Sequence, residues 1–442
     1  MSTTVRVRHH AAAVASAAAI FVALAAPAVG QPTSHHGADV QHTIGKCSPG
    51  LASADAPLNH SVLIRPEGER SSPLSHTEAN ALARDNGSVR LATMNAQLVG
   101  EAEGDLIAQL ESGEDLRAKK LAATLQTQRP TVVALTGMDL DEQHEAIKLF
   151  QEKYLAQRQE GTQPIQYRYT FAAPINAGVD SGADLNHDGT VGGAEDALGH
   201  GDFPGQGGMV LLSQLPIQES QVRTFTKLKW ADLPHNRLSE TGFTALERKF
   251  MPLMSRSLWD VPVSFGSQTI HLVVTHLSSP RELGEEAAEQ ERHYDQLQFV
   301  QDYVGFGGDQ SYIEDDAGKS GGLSKDATYA LLGQLNSDPM EGSERYKQLQ
   351  KMSAPADFTS EGASSFFRDR RDQNATAVTD QRPQNVTGQR LNYVLSKRGA
   401  STVLDSGVFW PTINSEQANL VPESDASGLS YRLVWADVRF NR

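Results

Sequence analysis

Val89-Arg90-Leu91-Ala92-Thr93-Met94-Asn95 is the stretch on which the reading of the fold turns. It alternates as a half-buried strand does and stops at a polar residue, Asn95. Working outward, Leu116 to Gln128 carries Leu121 and Leu125 at helical spacing, and Arg129-Pro130 ends it. Thr131 to Leu135 reads as a short apolar strand and Glu142 to Leu155 as an amphipathic helix. Met209–Leu212, Trp259–Phe265, Thr269–His276, Tyr329–Leu332, Asn392–Leu395 and Arg432–Phe440 follow as strands, with Gly266-Ser267 as a hairpin turn. Strands interleaved with helices and hairpins predict a sheet-rich α/β (α+β) protein without internal repeats.

The ends and the composition bound what such a protein does. Arg6, Arg8, His9 and His10 precede an apolar run from Ala11 to Ala26, and Ala28-Val29-Gly30 supplies small residues before Gln31. That is the pattern of a cleavable signal peptide over residues 1–30, so the mature chain is expected to be secreted or extracytoplasmic. The run is too short and alanine-rich for a membrane span, and no later stretch approaches the ~20 apolar residues a spanning helix needs. Residues 31–88 are polar and aperiodic and read as a loosely ordered lead-in to a domain over 89–442. Within that domain, 305–325 and 353–389 read as excursions, the second carrying sequons at Asn374 and Asn385. With a single cysteine, Cys47, no intrachain disulfide is possible. A net charge of -15 disfavours non-specific nucleic-acid binding, whose affinity comes from lysine and arginine displacing counterions.

Several ordered segments together resemble the endonuclease/exonuclease/phosphatase superfamily, in particular a secreted bacterial branch. They are Arg90-Leu-Ala-Thr-Met-Asn95, Phe203-Pro-Gly-Gln206, Gly208-Met-Val-Leu-Leu-Ser213, Trp259-Asp-Val-Pro-Val263, Thr275-His276, Gly333-Gln-Leu-Asn-Ser-Asp-Pro339, Asn392-Tyr-Val-Leu395 and Gly407-Val-Phe-Trp-Pro411. The resemblance implies a four-layer αββα sandwich, two facing mixed β-sheets flanked by helices. It also implies metal-dependent phosphoester hydrolysis, in which carboxylates hold a hard cation such as magnesium while an acid/base apparatus delivers water.

Mapped onto the family motifs, the site is degenerate. Asn95 matches the first-strand asparagine, His276 the histidine that contacts phosphoryl oxygens, and Asn336 the phosphate-holding asparagine. Gly137 stands at the position of the metal-binding glutamate, and Gln334 replaces the aspartate that positions water. Ser430 and Tyr431 stand where an aspartate-histidine pair supplies the final acid/base, and Asn392 occupies a position where close relatives carry aspartate. Losing a general base costs ~10²–10⁴ in rate. A catalytically inactive binding or scaffold protein is therefore the expectation, with a phosphate-bearing or other anionic molecule as ligand. One alternative is an active phosphodiesterase, nuclease or phosphatase that binds magnesium through displaced carboxylates such as Asp139, Asp260, Asp295 or Asp338.

Asp184-Leu-Asn186-His-Asp188-Gly189-Thr190-Val-Gly-Gly-Ala-Glu195 has the spacing of a calcium loop, without evident flanking helices. Asp184, Asn186 and Asp188 offer side-chain oxygens, Thr190 a carbonyl, and Glu195 two carboxylate oxygens, with Asp196 as a substitute should the loop close one residue later. A structural calcium is expected there. The remaining alternative is a calcium-stabilised extracellular structural protein in which the old cleft has no use. His35 and His36 read as part of the solvated lead-in.

Overall fold

Strands that are apolar on both faces need cover on both faces, and this requirement organises the molecule. The structure, a computed structural model, describes residues 62–64, 83–84, 87–279, 287–305, 308–337, 353–355, 390–411, 415–420 and 429–441. These lie in the unit spanning Leu58–Arg442. The proposed signal peptide, Cys47, the His35-His36 pair, Asp338 and both sequons lie outside the described residues.

In chain order the strands are β1 (Val62–Ile64), β2 (Val89–Leu98), β3 (Val132–Met138), β4 (Tyr169–Ala172), β5 (Gly208–Ser213), β6 (Arg223–Thr224) and β7 (Leu258–Phe265). They continue as β8 (Gln268–His276), β9 (Thr328–Gln334), β10 (Ser353–Pro355), β11 (Asn392–Lys397), β12 (Ser401–Val408) and β13 (Val434–Phe440). The α-helices are α1 (Asp105–Glu111), α2 (Leu116–Gln128), α3 (Glu145–Phe150), α4 (Glu247–Phe250) and α5 (Ala287–Tyr303). One sheet has the order β1-β4-β5-β3-β2-β13-β12 and the other β10-β11-β9-β8-β7-β6. Both are mixed, since β2 pairs with β3 and β8 with β9 in parallel while the other pairings are antiparallel.

The period-2 alternation of the second sheet shows how the layers form. Ile270, Leu272 and Val274 of β8, Ala330 and Leu332 of β9 and Val394 of β11 join the core that also holds β2, β3 and β5. The intervening Val273, Tyr329, Leu331, Tyr393 and Leu395 pack instead with Leu297, Phe299, Val300 and Tyr303 of α5. Phe171 of one sheet meets Trp259 of the other edge-on, with ring centroids 5.1 Å apart. The expected sandwich of two facing sheets with helices outside is what the chain forms.

Local signals account for several boundaries. The Asp115 carboxylate accepts the Ala118 N–H at 2.8 Å, capping α2, and Arg129 closes the helix in a left-handed conformation before Pro130. Gly266-Ser267 makes the hairpin, with Phe265 opposite Gln268 and Gly266 at φ +61. The helix expected over 142–155 starts at Glu145, because the Asp141 carboxylate caps Glu145 and Ala146, and its last turn, Gln151–Leu155, is π-helical. The lead-in contributes strand β1, which pairs with β4.

Of the elements named above, eight are not revealed by hydrophobic spacing: α1, α4, α5, β1, β4, β6, β10 and β12. Helix α5 shows why. It buries Arg292, His293, Asp295 and Gln296, which break the apolar stripe yet are paired inside the protein. Asp295 accepts from Trp230 Nε1 at 2.6 Å, and Arg292 donates to the carbonyls of Leu198, Pro252 and Leu253.

Candidate functional site: an amide chain between the two sheets

The residues that the sequence matches to the family motifs come together at one end of the sheets, and four chain segments there are tied together by uncharged groups. Asn95 lies near the end of β2, and its Oδ1 accepts the Gln97 backbone N–H at 3.0 Å. Its Nδ2 donates across the sandwich to Gln334 Oε1 at 2.9 Å, at the end of β9. Gln334 Nε2 then donates to Asn336 Oδ1 at 2.7 Å, and Asn336 Nδ2 donates to the carbonyls of Leu277 at 2.7 Å and Ser278 at 3.3 Å, just beyond β8. On the other side, Gln97 Oε1 accepts the backbone N–H groups of Ser430 at 2.5 Å and Tyr431 at 3.2 Å. Gln97 and Asn336 hold left-handed backbones, φ +52 and +49. Asn95, Gln334, Asn336 and Tyr431 are all buried.

Gly137 is a bulge. Thr136 and Met138 pair with neighbours on both sides while Gly137 is skipped, at φ +64. A Cβ there would lie 2.2 Å from Asn95 Oδ1. The position therefore has no side chain, and the space that one would leave through is filled by the Asn95 carboxamide.

His276 ends β8, opposite Gln334 in the parallel register. Only 3 % of it is exposed, and among the described residues its Nδ1 has no hydrogen-bond partner. Burial, and then the charge of Arg256, hold its pKa well below the usual histidine value, so the ring is neutral at physiological pH. Arg256 donates from Nε to the Gly207 carbonyl at 2.9 Å. Gln97 and Arg256 are the participants that motif matching misses. Gln97 has a faint signal, a polar residue between Ala96 and Leu98 at the end of an apolar strand, whereas Arg256 has none.

These residues do not fit a hard divalent cation. None of Asn95, Gly137, Gln334 and Asn336 carries a carboxylate, and the amide oxygens of all three amides already accept N–H groups. The displaced carboxylates are engaged elsewhere. Asp139, whose pKa burial raises, accepts from the N–H groups of Gly100 at 2.7 Å and Gly207 at 2.8 Å. Asp260 accepts from Tyr303 Oη at 2.7 Å and faces His271 Nδ1 at 2.9 Å, and Asp295 serves Trp230 and the Arg237 N–H.

The 184–195 loop folds on itself. Asp184 accepts the N–H groups of Asp188 at 3.0 Å and Gly189 at 2.9 Å, Asp188 accepts that of Thr190 at 2.7 Å, and Asn186 Nδ2 reaches Glu195 Oε2 at 2.8 Å. Asp196, 1 % exposed, is drawn inward to the N–H groups of Leu185 at 2.7 Å and Gly192 at 2.8 Å, while Glu195 stays at the surface. Among the described residues no group of three or more histidine, cysteine, aspartate or glutamate side chains is placed to hold a metal ion. The oxygen donors of the loop are of the type calcium takes. Leu185, His187, His200, Phe243, Met251 and Arg292 help to line an adjoining pocket of about 330 Å³. None of the amide-chain residues lines it.

A two-sheet sandwich with this cluster at one end defines a protein of phosphoesterase architecture. The family model described as "Endonuclease/Exonuclease/phosphatase family" matches residues 108–425, and the chain belongs to that family. No curated protein matches the sequence. Among solved structures, it is similar to an endonuclease/exonuclease/phosphatase family protein from Leptotrichia buccalis C-1013-b, at 12 % identity and a TM-score of 0.44, covering 80 % of this chain and 100 % of that one. It is similar to an endonuclease/exonuclease/phosphatase from Beutenbergia cavernae DSM 12333, at 18 % identity and a TM-score of 0.43, covering 80 % and 72 %. Sphingomyelinase C from Streptomyces griseocarneus is similar at 19 % identity and a TM-score of 0.39, covering 79 % and 99 %. Among the described residues no helix is long and apolar enough to cross a membrane.

Proposed function

We propose that this chain is a secreted, non-hydrolytic member of the family that acts as a binding or scaffold protein. The observation that carries this reading is the neutral donor set. Asn95, Gln334 and Asn336 satisfy one another, Gly137 has no side chain, and His276 is buried and uncharged. Such a set offers no carboxylate for a metal and no partner from which His276 could gain basicity. An anionic, phosphate-bearing ligand is the proposed occupant of the cleft, supported by the Arg256 charge that acts on His276 and by the unpartnered Nδ1 of that ring. A structural calcium at Asp184, Asn186, Asp188, Thr190 and Glu195 is proposed from the loop spacing. Export with cleavage near Gly30 is proposed from the amino-terminal pattern, and sequencing of the mature amino terminus tests it.

The test of inactivity is an assay of the purified mature protein on nucleic-acid and small phosphoester substrates with magnesium, manganese and calcium, beside His276→Ala. No turnover above that variant is expected. Sustained hydrolysis that His276→Ala abolishes would overturn the reading.

A further inference from the structure

The amide chain runs between two backbone groups whose roles cannot be exchanged. At one end the Gln97 N–H can only donate, so Asn95 must present its oxygen to it. At the other end the Leu277 carbonyl can only accept, so Asn336 must present its nitrogen. With both ends fixed, the orientation of every amide between them is forced. Gln334 must accept from Asn95 and donate to Asn336. A carboxylate, which only accepts, cannot occupy a middle position without setting two acceptors face to face. The chain continues through the Gln97 side chain to Ser430 and Tyr431, so it joins the end of β2 and the segments that follow β8 and β9 to the segment preceding β13.

We infer that Asn95, Gln334 and Asn336 form a polarised clasp that fixes the cleft loops without a metal ion, with Gln334 as the residue on which its direction depends. The clasp does more than remove a catalytic group. It converts the mouth of the sandwich from an arrangement needing a cation among carboxylates to one held by neutral amides. A neutral chain gains its strength from burial, since Gln334 is fully buried and its hydrogen bonds act in a low dielectric.

The direction of the chain makes this testable with an isosteric change. In Gln334→Glu the ionised side chain still accepts from Asn95 but opposes Asn336 Oδ1, whereas the protonated form can donate there and restore the chain. The new carboxyl is therefore held above its unfolded value, near 4.3. The penalty is present at neutral pH and disappears as pH falls toward that unfolded value. Among the described residues, the ionisable groups around this end of the chain include His276, opposite Gln334 in register, Arg256, whose charge acts on it, His293, whose Nε2 lies 2.9 Å from the Leu335 carbonyl, and Asp139 after the Gly137 bulge. These groups are common to parent and variant, so what differs between the two is the titration of the new carboxyl together with its coupling to them.

Urea midpoints of the full mature chain should be lower for Gln334→Glu than for the parent at neutral pH, and the gap should close on acidification. Gln334→Met, which removes both hydrogen bonds without adding charge, should show a gap that stays constant with pH. A Gln334→Glu midpoint equal to the parent at neutral pH, or a gap indifferent to pH, overturns the clasp. Should that variant not fold, hydrogen exchange of the Gln334 side-chain N–H₂ in the parent decides. Protection supports the clasp, and exchange at the rate of an exposed amide rejects it. Catalytic turnover by the parent would sink the proposed inactivity and leave the clasp standing, so the two readings fail separately.

Discussion

The carboxamide of Asn95 occupies the space into which any side chain at position 137 would project: a Cβ built on Gly137 lies 2.2 Å from Asn95 Oδ1 and 2.8 Å from its Cγ. The absence of a side chain at 137 and the position of Asn95 in the amide chain are therefore linked. A carboxylate placed at 137 requires Asn95 to leave, and Asn95 is held by both Gln97 and Gln334.

Gly137→Ala should accordingly destabilise the protein, by about 1–3 kcal/mol from the left-handed backbone together with the displaced amide. Gly137→Glu should cost more and should not create magnesium binding alone. Chemical denaturation and magnesium titration calorimetry check both. An alanine variant as stable as the parent would show that Asn95 moves aside freely.

The same geometry bears on a variant in which Gly137→Glu, Gln334→Asp, Ser430→Asp and Tyr431→His are combined. Because the Asp side chain at 334, one methylene shorter than Gln, draws back from Asn95 and leaves it held by the Gln97 N–H alone, this variant should bind magnesium where Gly137→Glu alone does not, and any hydrolysis should remain weak. A misplacement of about 1 Å costs on the order of 10²-fold in rate. Calorimetry with the 184–195 loop disabled by Asp184→Ala provides the comparison.

Acid should weaken the fold through His276. Its pKa is depressed in the folded state by burial and by Arg256, so below the ordinary histidine value the unfolded chain takes up a proton that the folded chain refuses. Stability should fall as pH drops through that value toward the folded pKa. His144, depressed chiefly by burial, acts in the same sense. In His276→Asn the slope of stability against pH between neutral and mildly acidic conditions should be shallower than in the parent. An unchanged slope would place the acid sensitivity elsewhere.

Calcium should raise the melting temperature, and Asp184→Ala combined with Asp188→Ala should remove the increment. An ion that binds only the folded state adds about 2.7 kcal/mol when its concentration is a hundredfold above its dissociation constant. Differential scanning calorimetry with calcium and with chelator gives the answer, and equal melting in both would exclude a calcium site in this loop.

Arg90 donates from Nε and Nη2 to the two oxygens of Asp437, each at 2.8 Å, and its guanidinium lies 3.6 Å from the centroid of the Trp435 ring. Arg90 and Asp437 are opposed in the β2–β13 register. Asp437→Ala would leave a buried guanidinium without its carboxylate, and a loss of about 3–5 kcal/mol is expected in equilibrium unfolding. A loss below 1 kcal/mol would mean that water or Gln128, which already accepts from Arg90, compensates.

The alternation of apolar residues in the strands, the stop at Arg129-Pro130 and the hairpin at Gly266-Ser267 were legible in the sequence because each rests on local backbone chemistry. The same holds for the absence of a carboxylate at Gly137, Gln334 and Tyr431, which is a matter of residue identity. Helix α5 was hidden because its buried Arg292, Asp295 and Gln296 find partners as far away as Leu198, Trp230 and Ser278, and no periodicity encodes a partner so distant. The cleft was hidden for a related reason. Whether Asn95, Gln334 and Asn336 stand ready for an anion or bond to one another depends on distances between β2 and β9, strands separated by more than two hundred residues and belonging to different sheets. A hydrogen bond across that gap is decided by how the two sheets stack, and only the folded chain brings its two ends within 2.9 Å.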